Sequence, residues 1–166
     1  LYQTVKSQRD ELELHNERIH HEQVLAKEIY QNMVHAGCLD LPNIRYFMSS
    51  MALFNGDVLF AAKTPSGRLH IMLGDFTGHG LSAAIGAVPL STIFYTMTAK
   101  GFSIPDIVME MNTKLNQLLP VGIFCAACIF ELDMADYTLR VWNGGIPAAC
   151  VISRDRTGQR YELKST

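Results

Sequence analysis

A basic surplus is missing from this chain. Lysine and arginine number 14 against 16 aspartates and glutamates, for a net charge of −2. No positive field is available to hold nucleic acid phosphates, which excludes that class of partner. A membrane span is missing too. The longest apolar stretch, Leu81 to Met97, contains Ser82, Gly86, Pro89, Ser91, Thr92 and Thr96, whereas a spanning helix needs roughly 20 mostly apolar residues. The N-terminus is highly charged, which excludes a secretory leader. Cysteine is sparse, at positions 38, 125, 128 and 150. Cys125-Ala-Ala-Cys128 has C-x-x-C spacing, but no second such pair exists. It lies in a run that reads as a buried strand, where residues three apart face opposite ways and cannot chelate one metal. The expectation is small core residues, and reduced cysteines imply a cytoplasmic protein.

What is present suits one domain with an appendage: 166 residues, 48% of them hydrophobic. Leu1 opens the chain in place of a methionine, so a longer parent protein is expected. Residues 1–36 read as a helical stalk or linker. The first 34 lack glycine and proline, and Val5, Leu12, Ile19, Ala26 and Met33 recur every seven positions. The companion column, Leu1, Gln8, His15, Glu22 and Ile29, is polar in its middle. The pattern predicts a soft coiled-coil seam and a homodimer through this helix; the plainer alternative is a surface helix lying on its own domain. Gly37 and Pro42 then break the helix.

Residues 43–166 read as the globular part. Strands are expected at 44–52, 57–62 and 68–73, with a turn at Phe54-Asn-Gly56 and a hairpin turn at Lys63–Gly67. A helix covers about 80–99, kinked at Pro89. A second begins at Ser103 with Pro105 and Asp106 in its first turn, carries Ile107, Val108, Met111, Leu115 and Leu118 as its stripe, and closes at Pro120. Strands follow at about 123–132, 137–142, 147–153 and 159–163, with a turn at Asn143-Gly-Gly145. This order is not the alternation of a parallel sheet. It predicts an α+β fold of antiparallel β-sheets flanked by helices.

The chemistry concentrates in Gly74-Asp-Phe-Thr-Gly-His-Gly80, between a strand and a helix. A dinucleotide cradle is one reading, since Gly78-His-Gly80-Leu-Ser-Ala83 fits G-x-G-x-x-A. It fails on context: a helix follows where a parallel strand should, and Asp75 sets a carboxylate where phosphate must approach. A plain strand-to-helix turn is the second reading. A metal site is the third. Pairing across the Lys63–Gly67 hairpin brings Asp57 close to Asp75, and carboxylates in a glycine turn leave room for hydrated divalent cations. His79 is either a general acid or a solvent-facing loop residue.

Gly56-Asp57, then Gly74-Asp-Phe-Thr-Gly-His-Gly80 with Ala83-Ala84, resemble the "GGD" and "GDxxGxGxxAA" motifs of SpoIIE/RsbU-type phosphatases, members of the PPM superfamily of metal-dependent serine/threonine protein phosphatases. Glu110-Met-Asn112 with Leu115 and Leu118 resembles the family's second helix, and Trp142-Asn-Gly-Gly-Ile-Pro147 its "NAGHxP" turn. The resemblance implies that Asp75 bridges two Mn²⁺ or Mg²⁺ ions, that the Phe76 backbone carbonyl is a ligand beside it, and that Asp57 holds metal-bound water. It implies a phosphoprotein substrate, a STAS-type anti-sigma-factor antagonist, and an upstream receiver or sensor domain of the response-regulator kind. The alternative is a catalytically inactive, phosphatase-like adaptor module. Asn55 and Ile146 depart from the motifs. The family's further aspartates are not in the sequence, so the chain alone is expected to be poorly active or inactive.

Overall fold

The turn at Lys63–Gly67 is the local event that sets the sheet. Thr64 N–H donates to the Arg68 carbonyl at 2.8 Å and Gly67 N–H to the Thr64 carbonyl at 2.9 Å. Gly67 takes φ 86°, a left-handed value that any side chain would strain. The turn closes β1 (Asp57–Lys63) and β2 (Leu69–Phe76) into an antiparallel pair. The computed structural model describes residues 2–34, 37–41, 44–48, 56–78, 80–153 and 159–165. Before the hairpin comes α1 (Tyr2–Met33); after it come α2 (Leu81–Ala99) and α3 (Ile104–Leu118). Then follow β3 (Cys125–Asp133), β4 (Thr138–Gly144), β5 (Ala149–Ile152) and β6 (Arg160–Leu163). The first four strands form one antiparallel sheet in the order β1-β2-β3-β4, and β5 pairs with β6. The expected α+β architecture, with antiparallel sheets, helices and a long N-terminal helix, is the one observed.

Strand alternation divides the large sheet into two faces. Val58, Phe60, Met72, Phe76, Ala127 and Ile129 share a core with Ala87, Leu90 and Phe94 of α2 and Ile107 and Met111 of α3. Phe60 and Phe94 are fully buried with ring centroids 5.6 Å apart. Burial of each such ring contributes about 2 kcal/mol. The small residues of α2 allow a close approach: a Cβ on Gly86 would lie 2.3 Å from the Phe76 ring. The other face carries Leu59 and Ala61, packed against Leu39, Ile44 and Ile71. The chain after α1 reaches this region at Gly37, which bridges to Ala61.

Several boundaries differ from expectation. Residues 44–48 of the strand expected at 44–52 carry no strand, and 49–52 lie outside the described residues, as do Pro42 and Phe54-Asn55. Strand β2 continues through Gly74, Asp75 and Phe76, so half of the supposed loop is sheet. The cause is pairing on both sides: Asp75 faces Asp57 on β1 and Ala126 on β3. Strand β4 likewise runs through Asn143 and Gly144, placed in a turn by sequence. Asn143 is buried, and its Oδ1 accepts from Ile146 N–H at 3.2 Å. Pro89 sits inside α2 without ending it. Leu118 is exposed rather than part of the α3 stripe.

Helix α1 does not lie along its own domain. Residues 5–26 are all exposed, and among the described residues of this segment Tyr30 and Val34 are the side chains that pack against the core. Ser91 Oγ of α2 donates to the Met33 carbonyl at 2.7 Å. The heptad column is therefore without intramolecular cover: Val5, Leu12, Ile19 and Met33 are exposed.

At the end of the sheet nearest the hairpin turn, a charged cluster is buried between β2, β3 and α2. His70 is fully buried, with Nδ1 3.1 Å from Thr98 Oγ1 and Nε2 2.9 Å from Glu131 Oε2. These two contacts occupy both ring nitrogens and give the buried hydroxyl and carboxylate a partner. Arg68 stands 3.1 Å from the same carboxylate, and Arg140 holds its other oxygen. Burial pushes the Glu131 carboxyl up, but the hydrogen bonds from His70 and Arg140 and the charge of Arg68 outweigh it, so the group sits below its ordinary value.

Two outcomes follow from this packing. Gly86→Ala gains about 1 kcal/mol of helix propensity but drives a methyl into Phe76. We expect a net loss of about 1–2 kcal/mol in urea unfolding. A carboxyl depressed in the folded state stabilises above its ordinary value of 4.5, and that stabilisation is lost as pH falls through the folded value. Glu131→Gln should cost about 2 kcal/mol at neutral pH. The variant should also lose less stability than the wild type between neutral pH and about pH 3.5. Equal acid sensitivity of the two proteins would contradict this.

Candidate metal centre

The register of the hairpin sets the site. Asp57 on β1 stands directly opposite Asp75 on β2. The flanking pair exchanges a ladder bond, Phe76 N–H to the Gly56 carbonyl at 3.1 Å. Hydrogen-bonded and non-hydrogen-bonded pairs alternate, so Asp57 and Asp75 form a non-hydrogen-bonded pair, the closer of the two kinds. Both side chains lie on the sheet face away from α2 and α3, and both residues are exposed. Like charges directly opposite each other destabilise a sheet. Among the described residues neither carboxylate takes part in an ion pair.

Backbone oxygens complete the arrangement. A Cβ on Gly56 would lie 2.9 Å from both the Phe76 and the Gly78 carbonyl oxygens. Glycine at 56 therefore leaves open a small recess lined by two carbonyls, at the residue that precedes Asp57. Gly78 has φ 85°, which turns the chain out of β2 toward Gly80, the N-cap of α2. Carboxylate and carbonyl oxygens are the donor set that hard divalent cations prefer. The residues present fit such an ion, although among the described residues no group of three His, Cys, Asp or Glu side chains gathers.

The expected site residues thus separate. Asp57 and Asp75 are brought opposite each other, and the Phe76 carbonyl lies against Gly56, the residue before Asp57. His79 lies outside the described residues. The Gly78 carbonyl was not singled out from sequence, because a backbone oxygen leaves no residue-type signal. The C-x-x-C pair divides as alternation requires. Cys125 packs into the helix-side core, while Cys128 shares the opposite face with Leu73 and Asn143. Burial pushes the Cys125 thiol up to about 12. The cysteines described are unbridged, and no described helix is long and apolar enough to cross a membrane.

The family model for stage II sporulation protein E (SpoIIE) matches residues 65–166, more than half of the chain. That span includes Asp75 and begins after Asp57. Phosphoserine phosphatase RsbP of Bacillus subtilis (strain 168) is 24% identical over 147 residues, covering 86% of this chain and 36% of that protein. The chain thus spans about a third of the length of this curated relative. The solved RsbU and RsbW domains of a Mycobacterium tuberculosis protein share the fold, with a TM-score of 0.58 at 21% identity. That match covers 71% of this chain and 32% of the other. With its antiparallel sheet, its glycine-flanked aspartate at the end of β2 and this family match, the chain belongs to the SpoIIE family, as a SpoIIE/RsbU-type domain of the PPM superfamily.

Proposed function

We propose that this domain, within its parent protein, hydrolyses phosphoserine or phosphothreonine on a regulatory protein with the help of divalent cations. The observation that carries the reading is the direct opposition of Asp57 and Asp75 at an exposed sheet rim. Two carboxylates in that position are unfavourable unless a cation lies between them. Asp57, Asp75 and the carbonyls of Phe76 and Gly78 would hold the ions, Mn²⁺ or Mg²⁺. Such ions, when bound, supply an acidified water and neutralise phosphoryl charge. The chain's own contribution is to hold this oxygen set rigidly on paired strands, with Phe76 locked against α2 behind it. His79 within the motif would serve as a proton donor to the leaving alkoxide.

A phosphorylated anti-sigma-factor antagonist of the STAS type is the substrate we favour. The relative named a phosphoserine phosphatase and the structural neighbour that carries an RsbW domain beside its RsbU domain both support this choice. The exposed heptad column of α1 supports a homodimer whose stalk, residues 1–36, carries a signal from a receiver or sensor domain to α2 through the Ser91–Met33 contact. The adaptor reading keeps one observation in its favour, since only two carboxylates meet among the described residues.

In the full-length protein, Mn²⁺-dependent phosphate release from a phosphoserine protein should fall at least about 100-fold in Asp75→Asn and in Asp57→Asn. Unchanged release in both variants would remove the metal reading. Release absent from the wild type, with phosphoprotein binding retained, would favour the adaptor. Replacing His15 and Glu22 by leucine should raise the melting temperature of the stalk dimer and fix activity at one level; regulation that persists unchanged would exclude a seam that switches.

A further inference from the structure

Antiparallel register carries β2 and β3 one pair beyond the last named one, Phe76 with Cys125, to Thr77 with Phe124. Thr77 N–H donates to the Phe124 carbonyl at 2.9 Å, as a ladder requires. The return bond is different. Phe124 N–H donates to Thr77 Oγ1 at 3.0 Å, so the side chain takes the place that a strand residue's own carbonyl would occupy. The hydroxyl in turn points toward the carbonyls of Phe124, at 3.4 Å, and Gly122, at 3.5 Å. This substitution closes the ladder while the backbone leaves the sheet. The chain can turn at Gly78 without stranding the Phe124 amide.

Burial does not hold the turn that Thr77 grips. Residues 119–124 join α3 to β3, with Val121 fully exposed and Phe124 60% exposed. Leu119 packs against the core, but Val121 and Phe124 do not, so the hydrogen bonds to Thr77 tie the β3 end of this segment to the sheet. Thr77 lies between the Phe76 and Gly78 carbonyls, both of which face the recess at Gly56. Its hydroxyl therefore fixes the point at which β2 ends, and Thr77 N–H, bound to the Phe124 carbonyl, turns the Phe76 carbonyl of the same peptide toward β1.

We propose that Thr77 is a positioning residue for the metal centre, its hydroxyl closing the β2–β3 ladder and so fixing the end of β2 that carries Asp75 and the Phe76 carbonyl. This rests on the reading of those aspartates as cation ligands. The test compares Thr77→Val, which keeps the shape without the acceptor, Thr77→Ser, which keeps the acceptor, and Asp75→Asn, all in the full-length protein. Mn²⁺ affinity is read by titration calorimetry, and the Phe124 and Ile129 amides by hydrogen exchange without metal. Thr77→Val should lose protection at Phe124 but not at Ile129 and bind Mn²⁺ about tenfold more weakly. Thr77→Ser should restore both. Wild-type Mn²⁺ affinity in Thr77→Val, with Phe124 unprotected, overturns the proposal while leaving the aspartates as ligands. Wild-type affinity in Asp75→Asn removes the metal reading itself, and the positioning role with it. If Thr77→Val also exposes Ile129, Thr77→Cys, a weak acceptor of similar size, takes its place. An affinity equal to that of Thr77→Ser then overturns the proposal.

Discussion

Two negative charges held opposite each other on neighbouring strands are the constraint around which this domain is arranged. A sheet register is ordinarily selected by its apolar face, and here that face is the row of Val58, Phe60, Met72 and Phe76 against α2 and α3. The same register puts Asp57 against Asp75 on the other side. A slip of one residue would bury charges and expose phenylalanines. The core therefore pins the acidic pair far more firmly than the pair's own repulsion can loosen it, since each buried ring outweighs one solvent-screened repulsion of about 1 kcal/mol. On the proposed reading, stability of the sheet is spent on preorganising a cation site.

The close approach of α2 to the sheet serves the same end. Gly86 lets the Phe76 ring lie against the helix backbone, and Gly74 leaves room for a Val58 methyl and the Cys125 sulfur, which a Cβ would meet at 2.8 and 3.1 Å. Both contacts fall immediately beside Asp75. The buried His70–Glu131–Arg140 cluster secures the far end of the same strands. The segment after β6 is tied back to the end of β4, where Gly145 N–H donates to Ser165 Oγ at 2.8 Å. Helix α1 reaches the site only indirectly, through α2, which places any signal from the stalk on the helix that packs behind Phe76.

Much of this was legible in the chain. The hairpin turn, the two carboxylates, the Ser103 cap and the opposed faces of Cys125 and Cys128 all follow from local rules of turn chemistry and alternation. What escaped was set by tertiary partners. Glycines marked Gly74 and Gly144 as loop, yet both sit in strands, and what calls for glycine there is that neighbours crowd the position where a side chain would stand. The 44–48 segment has strand-like composition but covers β1 in part, with Ile44 against the Leu39–Leu59–Ala61 cluster, instead of joining the ladder. The roles of Thr77 and of the Gly78 carbonyl depend on where β2 ends, which periodicity does not encode.

The most direct test is anomalous diffraction at the manganese edge from crystals of the full-length protein grown with Mn²⁺. The account predicts a peak within bonding distance of carboxylate oxygens of both Asp57 and Asp75, on the sheet face away from α2. Manganese bound elsewhere, with those two carboxylates solvated and apart, would contradict it.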